Sequence, residues 1–174
     1  MEETGFSRFN AGFRLRARHP IIASIIFAEA APDDDEKFKI MNDILSQLDP
    51  GYLEDRLLLD QMVLRHELVG IFTSNDKKRA LYERIEHLIP NEPFVFQHRS
   101  IIERELGDDE QAIFYARKAL KAKQERDRFR KSSDASFQNT LGLALEAAAR
   151  ICEDPLQKHR FLSEASAYFD QSIK

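Results

Sequence analysis

The sequence predicts an all-α fold made of antiparallel helix pairs. Across its 174 residues, apolar side chains recur at helical rather than strand spacing along most of the chain. Turn and capping residues interrupt that pattern at intervals that suit consecutive hairpins. In the central part, small residues line one helix, as close approach of a neighbouring helix requires.

Residues 1–18 stand apart from this pattern. Phe6, Phe9, Phe13 and Leu15 are interleaved with Arg8, Arg14, Arg16 and Arg18 and with Gly5 and Gly12. The alternation over Phe13–Ala17 predicts a short strand or an extended linker ahead of a helical domain spanning 19–174. His19-Pro20 starts the first helix, Ile21, Ile22, Ile25, Ile26 and Ala30 form its apolar face, and Pro32 ends it.

The acidic run Asp33–Glu36 reads as the cap and dipole partner of a second helix carrying Phe38, Met41, Ile44, Leu45 and Leu48. No second set of oxygen ligands follows at the spacing of a calcium loop. After the turn Asp49-Pro50-Gly51, the span Tyr52–Phe72 predicts a long third helix. Its residues Leu53, Leu57, Leu58, Leu59, Met62 and Val63 point to burial on more than one side. Thr73-Ser74-Asn75-Asp76 closes it and caps a fourth helix over 77–89, with Leu81, Tyr82, Ile85, Leu88 and Ile89 inward. Pro90-Asn91-Glu92-Pro93 then separates this helix from the next.

Pro93–Leu120 is the centre of the chain. Phe94, Ile101, Ile102 and Leu106 recur at helical spacing, Gly107-Asp108-Asp109 breaks the pattern, and Ala112, Ile113, Ala116, Ala119 and Leu120 resume it. Gly107 suits a left-handed helix stop and Asp108 suits the cap of the following helix, which is expected to continue to Arg130. Ser132-Ser133-Asp134 caps a seventh helix with Phe137, Leu141, Leu145, Ala148 and Ile151, and Asp154-Pro155 starts an eighth that ends near Ile173. Eight helices in pairs predict a short α-solenoid, or a compact bundle built on the same contacts.

The central hairpin resembles a tetratricopeptide repeat. Ser100 occupies the small position of the family's first helix, Leu106-Gly107-Asp108 its turn, and Ala112 and Ala119 its packing alanines. Glu103 and Ala116 stand where aromatic residues are usual. A later echo follows, with Leu141, Gly142 and Leu145 in a first helix and Ala165, Phe169, Ser172 and Ile173 in a second. The resemblance implies a TPR-like solenoid that binds a protein or peptide in the groove formed by the first helices of each pair. Residues expected to face that groove are Phe96, Gln97, Arg99, Ser100 and Glu103, with Gln138, Asn139 and Leu145 from the next unit; ordinary packing is the competing reading of each.

Composition narrows the function classes. The net charge of −4 and the 32% of charged residues describe a mixed surface without the positive excess that favours nucleic acid. Cys152 is the single cysteine, so neither an intrachain disulfide nor a cysteine zinc site can form, and a reducing cytoplasm fits best. The longest apolar run, Pro20–Ala28, is too short to cross a bilayer. The expected partner is therefore a protein or peptide, with a homo-oligomer also compatible and no membrane or cofactor implied.

Catalytic patterns are incomplete. His66-Glu67 begins like the zinc-protease helix, yet the position of the second histidine is Gly70. Glu83 and His87 lie one turn apart, and with His98 and Glu103 they make the nearest approach to a metal site. That quartet supports the rival class, a metal-binding or enzymatic helical bundle. Cys152 reads as a small buried residue. The basic run Arg117, Lys118, Lys121, Lys123, Arg126, Arg128, Arg130 and Lys131 reads first as a solvated helix end facing the negative end of the dipole, ahead of an acidic partner or nucleic acid.

Finally, the segment Phe13–Phe27, with its alternating arginines and Arg18-His19 pair, resembles the junction of some bacterial STAND-type NTPases, in which an arginine-rich stretch leads from the ATPase core into a helix. This resemblance implies that the helical repeats act as the sensor arm of a larger signalling or defence protein, with ATP hydrolysis residing outside these residues.

Overall fold

The computed structural model describes residues 31–64, 70–126 and 134–173. Among them the secondary structure is all helical, with seven helices: α1 (Asp34–Gln47), α2 (Leu53–Leu64), α3 (Asn75–Leu88), α4 (Pro93–Leu106), α5 (Asp109–Arg126), α6 (Ala135–Ile151) and α7 (Pro155–Ser172). All seven belong to one compact unit, Asp34–Lys174. The expected linker 1–18, the helix from Pro20, the His66-Glu67 pair and the continuation from Asp127 to Lys131 lie outside the described residues.

Local chemistry explains most boundaries. Gly107 adopts φ 79°, and its N–H and that of Asp108 return to the carbonyls of Arg104 and Glu103, which stops α4. Asp108 then accepts the Gln111 N–H at 3.1 Å and opens α5. Pro93 and Pro155 each sit in a first turn, preceded by Glu92 and Asp154, whose carboxylates accept the N–H groups of Phe94 and Leu156. Ser74 caps α3 by accepting the Lys77 N–H at 3.4 Å. Asp134 holds the equivalent position of α6 without a side-chain cap, its carbonyl accepting from Phe137 and Gln138 instead.

Successive helices pack on one another: α3 on α4, α4 on α5, α5 on α6 and α6 on α7, while α1 rests on α3. The core of the C-terminal half joins Phe96 of α4, Ala112, Ile113, Ala116 and Ala119 of α5, Phe137, Leu141 and Leu145 of α6, and Ala165 of α7. Four small residues in α5 and α7 let neighbouring backbones approach, and each fully buried leucine or isoleucine contributes about 1.5–3 kcal/mol. Ser100 fills its small position by donating from Oγ to the Ala112 carbonyl at 2.8 Å.

Two expectations need correction. The helix from Tyr52 is not buried on several sides: Leu59 is fully buried, whereas Leu53, Leu57 and Leu58 are 68%, 50% and 43% exposed. Its leucines are spread around the helix, and α4, on which it packs among the described residues, covers only part of them. Cys152 is half-buried rather than buried, because it ends α6 and lies in the connector to α7.

Candidate functional site

A cleft of about 420 Å³ opens where α3, α4 and α5 meet. Each helix contributes side chains three positions apart, the spacing that puts residues on one helical face. Glu83 and Glu86 come from α3, Phe96 and Arg99 from α4, and Tyr115 and Lys118 from α5. Charge is divided between the walls, with carboxylates on α3 and cations on α4 and α5.

Beneath the cleft lies a buried ion network. Glu103, 1% exposed, receives Arg79 through Nε at 3.0 Å and through a second contact from Nη2, and also receives Arg99 Nη2 at 3.2 Å. The same Arg99 nitrogen lies 3.3 Å from Glu83 Oε1. Hydrogen bonding to Glu103 holds the Arg79 guanidinium above its ordinary value, against the opposing effect of desolvation. Two guanidiniums thus share one buried carboxylate, and the half-exposed Glu83 supplies the remaining negative charge.

Arg99 is 4% exposed, and its Nε and Nη1 have no hydrogen-bond partner among the described residues. Its guanidinium carbon lies 4.5 Å from the Tyr115 ring centroid. Lys118 Nζ lies 4.0 Å from the centroid of Phe96 and donates to Glu86 at 2.7 Å. Burial pushes the Tyr115 phenol up, while the neighbouring Arg99 charge pulls the other way. The cleft is therefore an aromatic floor carrying held cations, faced by carboxylates.

The eight residues expected to face a groove divide into two groups. Phe96 and Leu145 are core side chains, Ser100 bonds to α5, and Arg99 and Glu103 form the ion network. Gln97 Nε2 donates to Ser136 O at 3.1 Å, Ser136 Oγ at 2.7 Å and Thr140 Oγ1 at 2.9 Å, which ties α4 to α6. These six are buried because α4, which carries five of them, is enclosed by α3, α5 and α6, and Leu145 of α6 faces the core. Gln138 is half-buried, reaching Gln171 at 3.5 Å, and Asn139 is exposed.

The quartet considered for a metal is dispersed over separate tasks. Glu83 and His87 line the cleft, while Glu103 is taken by the two arginines. His98 is buried and its Nδ1 shares a 2.7 Å hydrogen bond with the Tyr82 hydroxyl. Among the described residues no three His, Cys, Asp or Glu side chains are grouped to hold a metal ion.

Among the described residues of the basic run, Arg117 pairs with Glu164 at 2.7 Å, Lys118 with Glu86, and Arg126 with Glu92 at 3.0 Å. Sequence reasoning missed Arg79, Glu86 and Tyr115. The Tyr115/Lys118 spacing was available as a signal, since it marks a mid-helix cation beside an aromatic residue rather than a helix end. No helix among the described residues is long and apolar enough to cross a membrane. No family model, no curated protein and no solved structure matches the chain.

Proposed function

We propose that the chain is a non-enzymatic interaction module, which binds a protein or peptide through a surface of stacked helix pairs of the tetratricopeptide kind. The observation that carries this reading is the mirrored order of contacts about the turns. In the α4–α5 couple Ser100 meets Ala112, Phe96 meets Lys118 and Glu92 meets Arg126. In the α6–α7 couple Gly142 faces Phe169 and Gln138 reaches Gln171. One number falls as the other rises, which supports reading each couple as antiparallel. The Gln97 bracket and the Phe94–Phe137 ring contact, 5.2 Å between centroids, join the couples through α4 and α6, as a short solenoid would.

The proposed contact face is the edge of α6 at Gln138 and Asn139, because Asn139 is exposed there and Gln138 is half-buried at its rim. On the junction resemblance of residues 13–27, the module serves as the sensor arm of a larger bacterial signalling or defence NTPase in the cytoplasm. The test is affinity capture followed by binding measurements with the purified partner. The double variant Gln138→Glu/Asn139→Arg is expected to weaken binding about tenfold, a loss of about 1.4 kcal/mol. Equal binding by variant and wild type would reject this face.

A further inference from the structure

The α3–α4–α5 cleft carries an inference independent of the α6 face. Its two walls bear equal and opposite charge, Glu83 and Glu86 against Arg99 and Lys118. A ligand with one sign of charge would satisfy one wall and strip the other of its partner, which is unfavourable in a half-enclosed site. A ligand with both signs exchanges two internal pairs for two external ones at constant charge.

The internal pairs are suited to that exchange. Arg99–Glu83 spans 3.3 Å and Lys118–Glu86 spans 2.7 Å, with Glu83 52% and Lys118 35% exposed at the side chain. Each pair thus keeps one partner open to water, which weakens it. Arg99 Nε and Nη1, by contrast, are buried donors with no acceptor among the described residues, and a buried unfilled donor is costly. A carboxylate entering beside Arg99 supplies the missing acceptors. The half-buried Tyr115 ring provides an apolar surface next to these charges, and the volume of about 420 Å³ lies within the range of small-molecule sites.

We propose that this cleft binds a free α-amino acid with an apolar side chain. Its carboxylate faces Arg99 and Lys118, its ammonium faces Glu83 and Glu86, and its side chain lies against Tyr115. An α-amino acid suits the site because its two charges are separated by about the length of the ion pairs they replace.

The experiment is calorimetric titration of the full 174-residue chain with L-leucine and L-phenylalanine, beside N-acetyl-L-leucine, L-leucinamide and the tripeptide Leu-Gly-Gly. Saturable binding of a free amino acid is expected, with each blocked derivative and the tripeptide weaker by about tenfold or more, the loss of one charged contact. Equal binding of blocked and free forms, tight binding of the tripeptide, or no saturable binding of either amino acid would overturn the proposal. Glu83→Gln/Glu86→Gln changes two carboxylates outside the core and is checked for folding by its thermal melt. It is expected to shrink the preference for leucine over N-acetyl-leucine by about fivefold or more. An unchanged preference in the folded variant would also overturn it. Failure here would leave the α6 face untouched, and failure of that face would leave this site untouched.

Discussion

The carboxylate of Asp34 accepts the backbone N–H of Ser74, forty positions away, at 2.6 Å, and the Thr73 hydroxyl at 2.8 Å. The start of α1 is thereby joined to the cap of α3. Lys77 strengthens the joint through its ion pair with Asp35 and its ammonium 5.1 Å from the Phe38 centroid.

The Ser74 N–H, the first cause, with Thr73 and Lys37 in support, holds the Asp34 carboxyl below its usual value, against a desolvation effect that raises it. A depressed folded pKa contributes stability that is present above the unfolded value and lost as pH falls through the folded one. Asp34→Asn is therefore expected to lower the urea midpoint at pH 7 and to flatten its decline below about pH 4. Parallel urea titrations at pH 7 and pH 3 measure both effects. An unchanged decline would show that Asp34 does not supply it.

Gly142 is expected to resist substitution by alanine. An added Cβ would lie 2.5 Å from Phe169 Cε1 and 2.8 Å from Cδ1, closer than packed carbons approach. The ordinary helical gain of alanine over glycine, about 1 kcal/mol, is outweighed by overpacking. Gly142→Ala should destabilise by about 1–3 kcal/mol in urea denaturation. Combined with Phe169→Leu, the same change should cost less than it does alone, since the ring it meets is gone.

Glu103→Ala is expected to cost about 3–5 kcal/mol, because it leaves the buried Arg99 without its inner partner. Arg79→Met, at a site whose side chain is 35% exposed, should cost about 1 kcal/mol or less. Urea unfolding of the two variants measures the contrast, and equal costs would show that the part-exposed Arg79 matters as much as the buried carboxylate it meets.

Burial pushes the Tyr82 phenol well above its ordinary value. A raised folded pKa means that its stability contribution is complete below about pH 10 and falls at higher pH, since the unfolded chain releases the proton first. Ultraviolet titration should show one tyrosine ionising only with unfolding, and Tyr82→Phe should remove that step. The lost hydrogen bond to His98 should cost about 1 kcal/mol.

Much of the helical pattern was legible because its signals are local. Gly107 marks a stop wherever a left-handed residue ends a helix, and Pro93 and Pro155 mark first turns by their missing N–H. The acidic start of α1 was legible as the dipole partner of that helix, but not that Asp34 would reach across to Ser74, since no periodicity relates residues forty apart. Phe96 and Leu145 read equally as groove or core, because helical spacing defines a face without saying which neighbour covers it. Lys118 read as part of a charged helix end, and only its position over Phe96 reveals it as a cleft residue.

By itself, then, the sequence determined the helical class, the main turns and the small-residue faces, since backbone conformation and capping depend on neighbours within a few positions. Tertiary structure alone decided that Glu103 takes two arginines, that the Arg99 guanidinium lies over Tyr115, and that Glu83 and Glu86 face Arg99 and Lys118 across one cleft. Those arrangements join three helices, and the energy of a charge depends on what lies around it in space, which linear spacing does not specify.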